Sequence, residues 1–142
     1  MRGAERREGV IAAARESGLP EVTLIDAGPA PVSMRHGHWV VEKLGHQVTQ
    51  FDALVCVSDP VAFGCLSAVQ RLGLKAPDDI AITGFGNFEV SKISMPAITT
   101  VDVRAQSIGE EIVSLLLDVF DGTEKPSAFV DVGCSLVVRE TS

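Results

Sequence analysis

Apolar and polar positions follow two rhythms along this chain. Short apolar runs of strand length stand at Val22–Ile25, Ala53–Val57, Ile80–Thr83 and Ile98–Val103. Between them, apolar residues recur at helical spacing. The first helical stretch covers 5–17, with Val10, Ile11, Ala13 and Ala14 supplying its buried side. Gly9 inside it costs about 1 kcal/mol relative to alanine, which predicts close packing there. The second runs from Ser33 to Leu44, with Trp39, Val40 and Leu44 on one face and Gly45 as cap. The third ends near Leu72, stopped by Gly73. The fourth, 105–120, is the clearest: Ile108, Ile112, Leu115, Leu116 and Val119 form one stripe, which predicts a core-facing helix. Residues 89–96 read as irregular or a short helix. Residues 128–138 read as a last strand, interrupted at Gly133 by a bulge. The element order, αβαβαβ–β–αβ, predicts an α/β fold with a mostly parallel sheet flanked by helices.

The centre of this pattern is a β-α-β unit. Ala53–Val57 stops at Ser58-Asp59, and Pro60 follows. Proline is favoured at the first helical position, so Asp59 reads as the N-cap. Pro77-Asp78-Asp79 then turns the chain into Ile80–Thr83, closed by Gly84. Strands joined this way lie parallel, and ligands of such sheets bind outside the carboxyl ends of the strands. Asp59 and the Gly84–Phe88 loop both fall at such ends. The chain opens in a helix where an α/β sheet normally has a strand. The sheet therefore lacks its first strand, borrows one from a partner, or belongs to a fragment.

Composition narrows the function. A chain of 142 residues suits one domain, and 46% hydrophobic with 22% charged residues is an ordinary globular balance. The net charge of −7 makes the bare chain a poor partner for phosphate backbones. No apolar run reaches membrane-spanning length, and the charged start Met-Arg-Gly-Ala-Glu-Arg-Arg-Glu lacks a signal-peptide core. Cys56, Cys65 and Cys134 have no motif spacing and read as reduced, buried thiols of a cytoplasmic protein. His36, His38, His46 and Cys56 do not form a zinc pattern. Gly84-Phe85-Gly86 lacks the third glycine of a dinucleotide turn, and no nucleophile motif is legible. The expectation is no cofactor, no metal and no catalysis.

Leu74-Lys75-Ala76-Pro77-Asp78-Asp79-Ile80-Ala81-Ile82-Thr83-Gly84-Phe85, then Pro96-Ala97-Ile98-Thr99-Thr100-Val101 and Ile108-Gly109, resemble the lac/galactose repressor family of bacterial transcription regulators. Ser58-Asp59 with Ala62-Phe63-Gly64, and Arg6-Arg7-Glu8-Gly9 with Gly18-Leu19, fit the same pattern. Gly84–Glu89 and Ser33–Gly37 most resemble its gluconate-operon repressor branch.

The resemblance implies a periplasmic-binding-protein-like pair of lobes with a small effector, a sugar or sugar acid such as gluconate, in the cleft. It implies that 1–103 and 128–138 form the C-terminal lobe and that 104–127 belongs to the N-terminal lobe. The missing opening strand is then the first strand of the C-terminal lobe. It implies a homodimer, and operator DNA bound only through a helix-turn-helix domain absent from this chain. Arg6 and Asp59 fall on the family's effector-contacting arginine and acid. A guanidinium fork suits carboxylates and hydroxyls, and a carboxylate accepts sugar hydroxyls. Asn87, Arg104 and Ser33 are the further candidates, each with a plainer reading: a solvated loop residue, a helix-capping arginine, and a site position with no aromatic platform. Many members carry Asp where this chain has Gly86. For Leu115–Leu117 the plainer reading, core packing, is preferred to an interface. A stand-alone periplasmic-type sugar-binding protein is the alternative, with the absent signal core against it. A small flavodoxin-like enzyme needs a phosphate-gripping loop or nucleophile, and neither is found.

Overall fold

The computed structural model describes residues 2–122 and 129–142. Helix α1 spans Arg2–Glu16, α2 Met34–Leu44, α3 Asp59–Arg71, α4 Glu89–Ile93 and α5 Ala105–Phe120. Strands are β1 Ala53–Val55, β2 Ala81–Phe85, β3 Thr99–Asp102 and β4 Ser135–Val137. A 3-10 segment, Gly45–Gln50, joins α2 to β1. The sheet runs in the order β1-β2-β3-β4. The first two pairings are parallel, with Leu54 beside Ile82 and Gly84 beside Thr100; β4 returns antiparallel, with Val101 beside Leu136. The β-α-β reading therefore holds.

The core lies on one face of that sheet. Leu54, Ile82 and Ile98 meet Val61, Leu66 and Val69 of α3 and Val41 of α2. Burial alternates along β2: Ile82 and Gly84 are buried, while Ala81, Thr83 and Phe85 are partly exposed. This is the signature of a sheet with one covered face. Helices α2 and α3 approach at two glycines. A Cβ on Gly37 would stand 2.1 Å from the Val61 carbonyl oxygen, and one on Gly64 would stand 1.9 Å from that of Met34. Only glycine permits this approach. The buried stripe of α2 is Gly37, Val40 and Val41. Trp39, expected on it, lies 46% exposed. Two positions from Gly37 is 200° around a helix, which turns the indole away.

Other expectations are corrected. Val22–Ile25 is not a strand, because no neighbouring backbone among the described residues pairs with it. The N-cap of α3 is Ser58; Asp59 is already helical and Pro60 follows it inside the first turn. Helix α1 buries none of its apolar residues, and a Cβ on Gly9 meets nothing within 4 Å, so that glycine serves no close contact. No residue of α5 is buried: Leu116 is 50% and Phe120 80% exposed, so Leu115–Leu117 is not core within this chain. The stripe was legible, but among the described residues nothing covers α5 closely enough to bury any of it. Cys134 is exposed and Cys56 partly so; only Cys65 is buried. Gly133 precedes β4 instead of bulging it, at φ +70° in a turn whose N–H donates to Asp131 Oδ1. Position 128 lies outside the described residues.

Residues 139–142 fasten the far side. The Ile82 N–H donates to the Thr141 carbonyl, and the Thr141 hydroxyl donates back to Ile82, at 2.8 and 2.6 Å. The Thr99 N–H donates to Thr141 Oγ1. This tail joins the starts of β2 and β3, and Thr141 is fully buried.

Candidate functional site

The carboxyl ends of β1, β2 and β3 form a rim. Its buried centre is Asp59. The start of α3 carries this residue under β2, where Gly84 leaves room: a Cβ on Gly84 would stand 2.2 Å from Asp59 Oδ1. The carboxylate accepts the Phe88 N–H at 2.7 Å through Oδ2, and the Thr100 hydroxyl through Oδ1. Asp59 has no exposed surface. In this geometry it holds the rim from beneath and does not face the space outside it.

The loop held there is Gly86-Asn87-Phe88. Gly86 takes φ +121°, and a Cβ on it would stand 2.5 Å from the Phe88 ring. An aspartate, frequent here in the family the chain resembles, would be strained at this φ and would need the Phe88 ring to swing aside. Asn87 is left-handed at φ +52°, a conformation asparagine tolerates better than most residues. Its side-chain amide donates to Asp102 Oδ2 at 3.0 Å, and its carbonyl accepts from Arg139 Nη2 at 2.6 Å. Arg139 also donates to the Ser91 hydroxyl and the Ile98 carbonyl, at 3.0 and 2.7 Å. One guanidinium thus ties the loop, α4 and the start of β3 together. Sequence reading missed Arg139; a lone arginine after an apolar strand carries no local signal.

Arg6 comes to the same rim from α1. Its guanidinium donates to the Val57 carbonyl at 2.8 Å and lies over the Phe85 ring, 4.1 Å from the centroid. Arg6, Asp59 and Asn87 therefore meet at the ends of β1–β3, with Phe88 54% exposed beside them. Arg104 is the N-cap of α5, left-handed at φ +52°. Its N–H donates to Asp102 Oδ1 at 2.8 Å, and its guanidinium reaches the Val132 carbonyl at 3.4 Å. Ser33 stands apart from this network. It caps α2 reciprocally with His36: the Ser33 N–H donates to His36 Nδ1 at 3.1 Å, with the hydroxyl at 3.0 Å from the same nitrogen. Histidine takes the place that Glu or Gln has in a capping box. Among the described residues no group of three His, Cys, Asp or Glu side chains could hold a metal ion.

The Arg104 N–H and the Asn87 amide hold the Asp102 carboxyl below the ordinary aspartate range, and the charges of Lys92 and Arg104 add to this. A depressed folded-state pKa gives stability that is present above the unfolded value, about 3.9, and is lost as pH falls through the folded one. Acidification below about pH 4 should thus lower the protection of the Asn87 and Arg104 amides, read as exchange relative to the intrinsic rate at the same pH. Asp102→Asn should flatten that dependence; equal acid sensitivity in both proteins would refute the assignment.

The sequence matches the periplasmic binding protein-like domain over residues 2–142. It is 38% identical to the HTH-type transcriptional repressor CytR of Escherichia coli K12 over 87 residues, 61% of this chain and 26% of that protein. A LacI family transcriptional regulator from Silicibacter pomeroyi superposes with TM-score 0.88 at 36% identity, covering 99% of this chain and 50% of the other. The transcription regulator GntR from Chromobacterium violaceum superposes with TM-score 0.88 at 31% identity, covering 99% and 52%. The chain spans about half the length of these solved relatives and less of the curated ones. It belongs to the periplasmic binding protein-like domain family, and within it groups with the effector-binding domains of LacI-type transcription regulators.

Proposed function

We propose that this chain is the C-terminal half of an effector-sensing domain in a LacI-type repressor. It binds a small sugar or sugar acid, gluconate among them, at the rim of Arg6 and Asn87, and does no chemistry. The observation that carries this reading is the convergence of Arg6, Asn87 and the exposed Phe88 on the carboxyl ends of three adjacent strands. A cationic fork beside an aromatic face suits a polyhydroxy acid. Arg104 adds a second positive charge next to the rim. Asp59 positions the loop, and Ser33 sets the entry to α2.

Residues 1–103 and 128–138 are the C-terminal lobe in this reading, and 104–127 crosses to an N-terminal lobe. The unburied apolar stripe of α5 supports it, since such a stripe needs a covering layer. The parent protein binds operator DNA through a helix-turn-helix domain outside these residues. Effector closure shifts a population of lobe arrangements and so repositions that domain. The lobe homodimerises through the exposed apolar segment Phe88–Met95, where Ile93 and Met95 are 74% and 86% exposed. Light scattering should show a dimer; a monomer at high concentration would count against it.

Half a cleft binds weakly. Calorimetry of the 142-residue chain with gluconate and other sugar acids should give a Kd no tighter than roughly millimolar. Fusing the N-terminal lobe of a LacI-type regulator should tighten it, and Arg6→Ala should abolish the gain. Submicromolar binding by the chain alone would overturn the half-cleft reading.

A further inference from the structure

Cys56 follows β1 and Cys65 lies in the second turn of α3, and their sulfurs are 3.8 Å apart. The Cys56 thiol points its hydrogen at the Cys65 sulfur, and the Cys65 thiol reaches the Gly37 carbonyl at 3.5 Å. Cys56 is partly exposed as a residue and Cys65 is buried beside it, so the two sulfurs face each other at the edge of the core. The shared hydrogen bond, then burial, raises the Cys56 pKa, while the same bond lowers that of Cys65.

We propose that Cys56 and Cys65 are an oxidisable dithiol that closes to an intrachain disulfide under a hydroperoxide and so displaces the Arg6 side of the rim. In the first step a thiolate sulfur attacks the peroxide oxygen, the O–O bond breaks, and a sulfenic acid forms with release of water. In the second, the other thiolate attacks that sulfur; the S–S bond forms, the S–O bond breaks, and hydroxide leaves with a proton as water. Two thiols and one hydrogen peroxide give one disulfide and two waters, so two electrons pass from sulfur to oxygen.

The sulfurs must close to about 2.05 Å. Helix α3 has little room to yield, because Gly64 and Gly37 seat it directly on the backbone of α2. The 56–58 turn therefore moves. Its Val57 carbonyl accepts the hydrogen bond from Arg6, and Ser58-Asp59 opens α3 beneath the Phe88 amide. Oxidation thus acts on two of the contacts that shape the rim.

The test uses Cys134→Ser, which removes the exposed third thiol. Millimolar hydrogen peroxide should take its free thiols from two to none, lower the monomer mass by two hydrogens, and link the Cys56 and Cys65 peptides; dithiothreitol should reverse all three. Hydrogen exchange over 57–60 and 85–88 should change by roughly threefold or more on oxidation. Cys56→Ser in the same background should form no crosslink. Persistence of both thiols while Cys134 of the unsubstituted chain oxidises would overturn the proposal. So would oxygen addition without a crosslink, or a crosslink that leaves exchange at the rim unchanged.

Discussion

Replacing Gly64 with alanine lowers the stability of this chain by about 3 kcal/mol, at the upper end of what overpacking costs. The added carbon would stand 1.9 Å from the Met34 carbonyl oxygen, 2.8 Å from its carbon and 2.9 Å from the His38 nitrogen. All three are backbone atoms of α2, so no side chain can rotate away. The helix must translate, and Val40 and Val41 would leave their fit against α3 and the core beyond it. Alanine's better helix propensity returns at most about 1 kcal/mol. Gly9→Ala is the matched control, since nothing lies within 4 Å of that position and it should hold or gain stability. Urea midpoints of the two variants decide it. A Gly64→Ala midpoint equal to that of Gly9→Ala would mean that the two helices do not meet as described.

Removing the Asp59 carboxylate has a comparable effect for a different reason. Asp59→Ala strands two donors, the part-buried Phe88 N–H and the buried Thr100 hydroxyl. An unsatisfied buried donor costs about 1–3 kcal/mol, so a total of about 3 kcal/mol is expected. The damage is local first. The Phe88 amide, which fixes the Gly86-Asn87-Phe88 loop over β2, should exchange far faster than in the parent. Asp59→Asn should be intermediate, because its amide nitrogen would turn toward one of the two donors. A protein with Asp59→Ala that keeps its Phe88 protection would show that the loop is held by Arg139 and Asp102 alone.

Much of the site was legible because its signals are local. Ser58-Asp59-Pro60 after an apolar run marks a helix start at a strand end, and only the cap was displaced by one residue, to Ser58. Gly84 and Gly86 were legible as loop punctuation; their reasons, Asp59 beneath one and the Phe88 ring over the other, are contacts made across the fold. The burial of α1 and α5 was overestimated because periodicity reports an apolar side, not what covers it. The stripe on α5 is real and has no partner layer among the described residues.

The order of residues by itself determined the β-α-β unit, its parallel pairing, the capping glycine of α2 and the placing of Asp59 and Asn87 near strand ends. These follow from chain chirality, hydrophobic period and turn chemistry, which act over a few residues. Tertiary structure alone decided that Asp59 lies wholly inside, that Arg139 reaches across from beyond β4 to clamp Asn87, that Thr141 joins β2 to β3, and that Cys56 meets Cys65. Each of those contacts joins residues 9 to 59 positions apart. Their hydrogen-bond partners are chosen by the need to satisfy buried polar groups once the sheet has closed, and no local pattern encodes that choice.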